Sequence, residues 1–145
     1  MGSEMCIRDR DIAGRLRDDD WDVRAAAVKA LAVFKDRLPE EVIKDIAARL
    51  RDDKWYVRAA IVKVLAKLKG RVPEEVIKDF AGRLQDVNRY VRAAAVEALA
   101  VFKDRINDKV VREIAARLRD DDREVRESAY RTLKIFYESG IPLPG

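Results

Sequence analysis

Residues 52–65 read DDKWYVRAAIVKVL, and the same sentence returns as DDDWDVRAAAVKAL at 18–31, DVNRYVRAAAVEAL at 86–99 and DDDREVRESAYRTL at 120–133. Val57-Arg58 coincides with Val23-Arg24, Val91-Arg92 and Val125-Arg126 under a constant offset of 34 residues. That offset also aligns Leu16, Leu50, Leu84 and Leu118, then Leu31, Leu65, Leu99 and Leu133, then Phe34, Leu68, Phe102 and Phe136. No insertion breaks the spacing. A fixed period of this length marks a repeat array.

Within one period the apolar pattern is helical twice. In PEEVIKDIAARL (39–50), Val42, Ile43, Ile46, Ala47 and Leu50 share one helical face. Pro39 and Pro73 suit the first turn, and the Glu pairs after them suit the positive end of the helix dipole. In the quoted stretch Val57, Ile61, Leu65 and then Leu68 make a second face. The Asp residues between the two helices are natural N-caps, and Lys67, Lys69 and Gly70 form a stop signal. A single helical hairpin cannot bury its apolar face, whereas stacked hairpins share a continuous core. The paired alanines Ala25-Ala26, Ala59-Ala60 and Ala93-Ala94 let neighbouring helices approach closely. The expected fold is all-α, a right-handed α-solenoid of four 34-residue hairpins, with units at about 5–38, 39–72, 73–106 and 107–138 and a non-helical tail at 139–145.

Composition narrows the function. Charged residues make up 40% and apolar ones 48%, a folding composition with a heavily solvated exterior. The 31 basic and 27 acidic residues leave a net charge of +4, so no single-sign field steers a partner. No basic block, signal peptide or membrane-length apolar run is visible. There is no His, and the one cysteine is Cys6, which excludes His-based acid–base catalysis, disulfides and zinc sites. A reducing, cytoplasmic setting fits. Scarce side-chain amides beside abundant Lys, Arg and Glu match the bias of heat-adapted proteins.

Leu50, Asp52, Val57, Arg58, Ala59, Ala60 and Leu65, recurring in register over residues 11–138, resemble HEAT-like repeats, especially the short kind named after phycobilisome lyases. The tetratricopeptide family has the same period, but its Trp-x-x-Leu-Gly-x-x-Tyr pattern is missing. The resemblance implies a hydrogen-bonded ladder between neighbouring units. It would be built from the turn aspartates Asp18, Asp52, Asp86 and Asp120 and the arginines Arg24, Arg58, Arg92 and Arg126. A guanidinium fork matches a carboxylate and can also reach open turn carbonyls.

Both ends depart from the repeat. Residues 5–10, MCIRDR, stand where the register expects a sequence like PEEVIK, and they resemble the translation of a transposon-derived sequencing adapter. On that reading residues 1–10 are tag- or adapter-derived, Cys6 carries no functional meaning, and the chain is a fragment of a longer repeat protein from environmental DNA. The fourth unit replaces alanines with Glu127, Ser128 and Lys134, as a capping repeat would.

Against this constant frame, a few positions vary. The slot opening the second helix holds Trp21, Trp55, Arg89 and Arg123, and the next holds Asp22, Tyr56, Tyr90 and Glu124. Trp, Tyr and Arg are common interface anchors. We therefore expect Trp55, Tyr56, Lys63, Arg89, Tyr90 and Glu97 to present a concave surface to a protein partner, from a monomeric, non-catalytic scaffold without cofactor or metal. The competing reading of the rings is that they seal the joints between units. The alternative function is binding of a nucleic-acid backbone, carried by the rows Lys35, Lys69, Lys103 with Arg37, Arg71, Arg105, and separately Arg15, Arg49, Arg83, Arg117. Dipole complementation at helix ends is the plainer account of those rows.

Overall fold

The computed structural model describes the backbone from Ile7 to Pro144, with side chains described from Arg10. The adapter-like stretch therefore falls largely outside the described residues, and Cys6 wholly so.

Among the described residues eight α-helices follow in order: α1 (Ile7–Gly14), α2 (Trp21–Ala32), α3 (Glu40–Ala48), α4 (Trp55–Leu68), α5 (Glu74–Ala81), α6 (Arg89–Leu99), α7 (Asp108–Ala116) and α8 (Arg123–Glu138). Among the described residues there is no strand, and no helix is long and apolar enough to cross a membrane. The chain is an all-α solenoid of helical hairpins.

Each first helix runs into a single tightened 3-10 turn that ends on the repeat's aspartate, where the backbone becomes extended. That aspartate folds its carboxylate back onto the N–H two residues on: Asp18 to Asp20 at 2.9 Å, Asp52 to Lys54 at 3.0 Å, Asp86 to Asn88 at 2.9 Å and Asp120 to Asp122 at 3.0 Å. This local side-chain bond sets the corner between the helices. The second helix is then capped by Asp20, Asn88 or Asp122, while Lys54 at the start of α4 has no side-chain cap.

Two expectations shift by one residue. Pro39 and Pro73 stand at the N-cap rather than inside the first turn. Their ring-fixed φ of −66° and −67° is helix-like, but ψ is extended, so helix begins at the glutamates that follow. After α4 the left-handed residue is Lys69, at φ 46°, not Gly70.

The core follows from the stacking. Helices α2, α4, α6 and α8 pack in sequence on one another, and the first helices pack mainly on their own partners. Alanine at three successive joints makes that spine possible. The apolar positions Val42, Ile43, Ile46, Ala47, Leu50, Val57, Ile61, Leu65 and Leu68 are all buried in one cluster that runs through the units. Leu84 is fully buried between units, while Leu118, in the same slot of the fourth unit, is 42% exposed. Of the residues expected to cap the fourth unit, Glu127 and Lys134 are exposed, but Ser128 is buried and faces backwards, its hydroxyl donating to Glu97 at 2.9 Å. Its polarity serves the joint with the third unit, not the outer face.

Candidate functional site

The joint between units is the frame on which the surface hangs. Arg24 donates from Nε and Nη2 to the two carboxylate oxygens of Asp52 at 2.8 and 2.9 Å. Arg58 grips Asp86 with the same two distances, and Arg92 grips Asp120 with both at 3.0 Å. Each arginine thus reaches forward 28 positions to the turn of the following unit. Its remaining nitrogen holds the turn of its own unit: Arg24 donates to the Asp18 carbonyl at 2.8 Å, Arg58 to Asp52 at 2.8 Å, Arg92 to Asp86 at 2.9 Å and Arg126 to Asp120 at 2.7 Å. One planar guanidinium therefore ties two corners together. Burial of the carboxylate opposes its charge at both Asp52 and Asp120. The Arg24 or Arg92 bonds, with the turn N–H, outweigh that opposition and hold both carboxyls below the usual range. The Asp52 bond in turn raises Arg24.

Among the described residues the ladder runs from Asp18 to Arg126. Arg126 bonds its own turn but has no carboxylate in front of it among the described residues. Asp18 holds its own turn and lies 3.6 Å from Arg15, with no guanidinium fork on it among the described residues.

With the corners locked, the starts of the second helices line up, and their variable side chains meet. Trp21 packs edge-on to Tyr56 at 5.3 Å, Tyr56 edge-on to Trp55 at 5.6 Å, and Trp55 stacks on Tyr90 at 5.4 Å with 28° between the planes. The four rings thus cross three units as a chain. They are neither sealed nor free: each keeps more than a third of its surface in solvent. Lys29 donates to the Tyr56 hydroxyl at 2.8 Å and fixes that ring.

Three of these rings, Trp55, Tyr56 and Tyr90, wall a groove of about 290 Å³ lined from α2, α4, α6 and the start of α8. Ala59, Ala60, Ala93 and Ala94 form its floor, and Lys29, Lys63, Glu97 and Glu124 stand around it. Of the six residues proposed from sequence, the structure brings Trp55, Tyr56, Lys63, Tyr90 and Glu97 into this one space. Arg89 lies outside it, in an adjoining hollow with Asp122 and Arg123. There its guanidinium sits over the Tyr90 ring at 5.0 Å and 3.6 Å from Asp122. Lys29 escaped the sequence reading, although it occupies the same slot as Lys63 one unit earlier.

Glu97 is partly neutralised, accepting from Ser128 at 2.9 Å and from Arg131 at 3.3 Å. Lys63 is exposed and has no hydrogen-bond or ion-pair partner among the described residues. The groove therefore offers an apolar floor, aromatic walls and an uncommitted cation. It offers no nucleophile–base pair. Among the described residues no group of three or more acidic, His or Cys side chains could hold a metal.

The cation rows are largely committed elsewhere. Arg83 and Arg117 donate to the carbonyls of Leu50 and Leu84 at 3.1 and 3.3 Å, and Arg105 donates to Val72 at 2.6 Å and Glu74 at 3.2 Å. Apart from the Arg105–Glu74 pair, which lies within the third unit, these bonds bind one unit to the previous one.

Comparison with known proteins agrees with this architecture. The profile of the family described as HEAT repeats matches residues 12–100 and 77–142. No curated protein matches the chain significantly. Among solved structures, human deoxyhypusine hydroxylase superposes with a TM-score of 0.68 at 23% identity, over 90% of this chain and 43% of its own. The complex of CpcE and CpcF of phycocyanin lyase from Nostoc sp. gives a TM-score of 0.63 at 14% identity, over 93% of this chain and 67% of its own. A designed armadillo repeat protein in complex with the peptide (KR)4 gives 0.56 at 17% identity, over 90% of this chain and 69% of its own. The chain thus spans less than half the length of the human hydroxylase, and these likenesses concern the fold alone.

Proposed function

The chain belongs to the HEAT-repeat family, and from that premise we propose that it is a non-catalytic scaffold whose groove holds an extended segment of another protein. Fold alone does not bring function with it, and the neighbours include an enzyme as well as a designed peptide binder. The reading is therefore carried by the site. Its central support is Lys63, exposed and without a partner, beside the half-exposed rings of Trp55 and Tyr90 and above an alanine floor. A segment laid along the second helices would set apolar side chains on Ala59 and Ala93 and present a carboxylate to Lys63. Rings that are already packed on one another lose little freedom on binding, which favours affinity.

The nucleic-acid alternative draws less support, because Arg83, Arg105 and Arg117 already donate to neighbouring units. Catalysis draws little support from a chain without His and with one Cys.

Selection of random displayed peptides on the chain tests the reading. We expect enriched peptides to carry acidic and apolar residues, and to lose about tenfold or more in affinity when Trp55→Ala or Lys63→Glu removes a groove contact. Enriched peptides that bind both variants as well as the parent chain would overturn it. So would binding of a DNA duplex that tightens steeply at low salt while no peptide is enriched.

A further inference from the structure

We propose that the groove selects a segment of opposite charge at its two ends, an acidic side chain for Lys63 and, about six residues away, a basic one for Glu124. This rests on the groove being a peptide site and adds the charge at its far end, the spacing and the register. The lining charges change sign along the stack. Lys29 and Lys63 stand on α2 and α4, whereas Glu97 and Glu124 stand on α6 and α8. A ligand of one sign meets repulsion at one end of such a groove. A segment with opposite charges at its ends meets attraction at both.

Two of the four charges are already engaged. Glu97 accepts from Ser128 and Arg131, and Lys29 donates to the Tyr56 hydroxyl with its ammonium 4.8 Å from the centre of that ring. Glu124 differs from Glu97. It is exposed and has no hydrogen-bond or ion-pair partner among the described residues. The cations beside it are held elsewhere: in the adjoining hollow Arg89 pairs with Asp122 at 3.6 Å, and Arg123 with Glu127 at 3.2 Å. Lys63 and Glu124 are therefore the uncommitted couple of opposite sign among the described lining residues, and both face one space.

Their places in the repeat fix the path between them. Lys63 lies in the third turn of α4, and Glu124 in the first turn of α8, in the slot of Tyr56 and Tyr90. The line joining them crosses α6 in its second turn, where Ala93 and Ala94 form the groove floor beside the Trp55–Tyr90 stack. Neighbouring second helices stand about 8–10 Å apart, and the offset along the helix adds about 10 Å, so the diagonal is roughly 20 Å long. An extended segment covers about 3.3 Å per residue, which puts acid and base about six residues apart. An even spacing sets both charges on one face of the segment, with the alternate side chains between them resting on the two alanines. One unit earlier the same diagonal starts at Lys29 and ends on Tyr90, with no acid at its far end. Only the register from Lys63 to Glu124 pairs both charges.

Random displayed peptides selected in parallel on the parent chain and on Glu124→Lys test this. On the parent chain, enriched peptides should carry an acidic and a basic residue about six positions apart, with apolar residues between them. On Glu124→Lys they should keep the acid and show a second acid where the base stood. A peptide from the parent set should bind Glu124→Gln about threefold more weakly, the scale of a solvent-exposed pair, and Glu124→Lys more weakly again. Exchanging its base for glutamate should restore binding to Glu124→Lys. Glu124 is exposed, so both variants should keep the helical circular dichroism of the parent. Peptides enriched for acidic and apolar residues without a base at that spacing would overturn the proposal and leave the groove a peptide site. Retention of the same base by peptides selected on Glu124→Lys would do likewise. A selection that enriches nothing would overturn both readings.

Discussion

Replacing Asp52 by alanine separates what the ladder contributes from what the turn contributes. The Asp52 side chain is 1% exposed and the Arg24 side chain 9%. Removing the carboxylate deletes two charge-assisted bonds of 2.8 and 2.9 Å and the bond from the Lys54 N–H. Arg24 keeps the carbonyls of Asp18 and Asp19 and the outer carboxylate of Asp53, which is 78% exposed and so compensates weakly. Stranding one member of a buried pair costs about 3–5 kcal/mol, and partial compensation places this case near the lower end, about 3 kcal/mol. For a chain of this size each kcal/mol moves the melting temperature by roughly 3 °C, so Asp52→Ala should melt about 10 °C lower. Asp18→Ala is the matched control. It breaks the same bond to its own turn but touches no guanidinium fork, and should cost about 1 kcal/mol. Urea titration of both variants gives the difference between them. Equal destabilisation by the two substitutions would refute the reasoning, since the inter-unit bonds would then contribute nothing measurable.

Three further outcomes follow from the same geometry. Leu84→Ala, at a fully buried slot, should cost about 2–5 kcal/mol in urea unfolding. Leu118→Ala, at the 42% exposed equivalent, should cost clearly less. Lys69→Gly relieves a side chain held at φ 46° and should raise the melting temperature by the equivalent of about 1 kcal/mol. The depressed carboxyls of Asp52 and Asp120 bind protons more weakly folded than unfolded. Their contribution is therefore fully present above the unfolded value near 3.8 and disappears as pH falls below it towards the folded values. Acid titration of stability should show that loss shrinking in Asp52→Ala, with no comparable change near neutral pH.

The fold was legible because its determinants are periodic. Four copies of Val-Arg, the leucine slots and the paired alanines fix two helices per unit and their stacking. The groove was legible in part, because Trp55, Tyr56 and Tyr90 break an otherwise constant frame. Less visible was the direction of each contact. Nothing in the spacing says that Arg24 serves the turn of the next unit with one edge and its own turn with the other. Arg89 was grouped with the groove because it shares a slot with Trp55, yet its guanidinium folds over Tyr90 towards Asp122 and leaves the cavity. Ser128 looked like a cap because polarity in a small-residue slot suggests solvent, but the hydroxyl is turned onto the Glu97 carboxylate of the previous unit, which satisfies it. Lys69 took the left-handed turn beside an available glycine, and the sequence gives no hint of it. In each instance the deciding partner lies in another unit, or in a backbone angle, out of reach of local pattern.

The account rests on one joint used three times between units among the described residues. Exchange of the arginine Nε protons, followed by nitrogen-15 NMR on the dilute chain at raised salt, observes that joint directly. Arg24, Arg58 and Arg92 should exchange slowly, each held by a buried carboxylate, while Arg126 exchanges like a solvated guanidinium. Four arginines exchanging at one common rate would contradict the account.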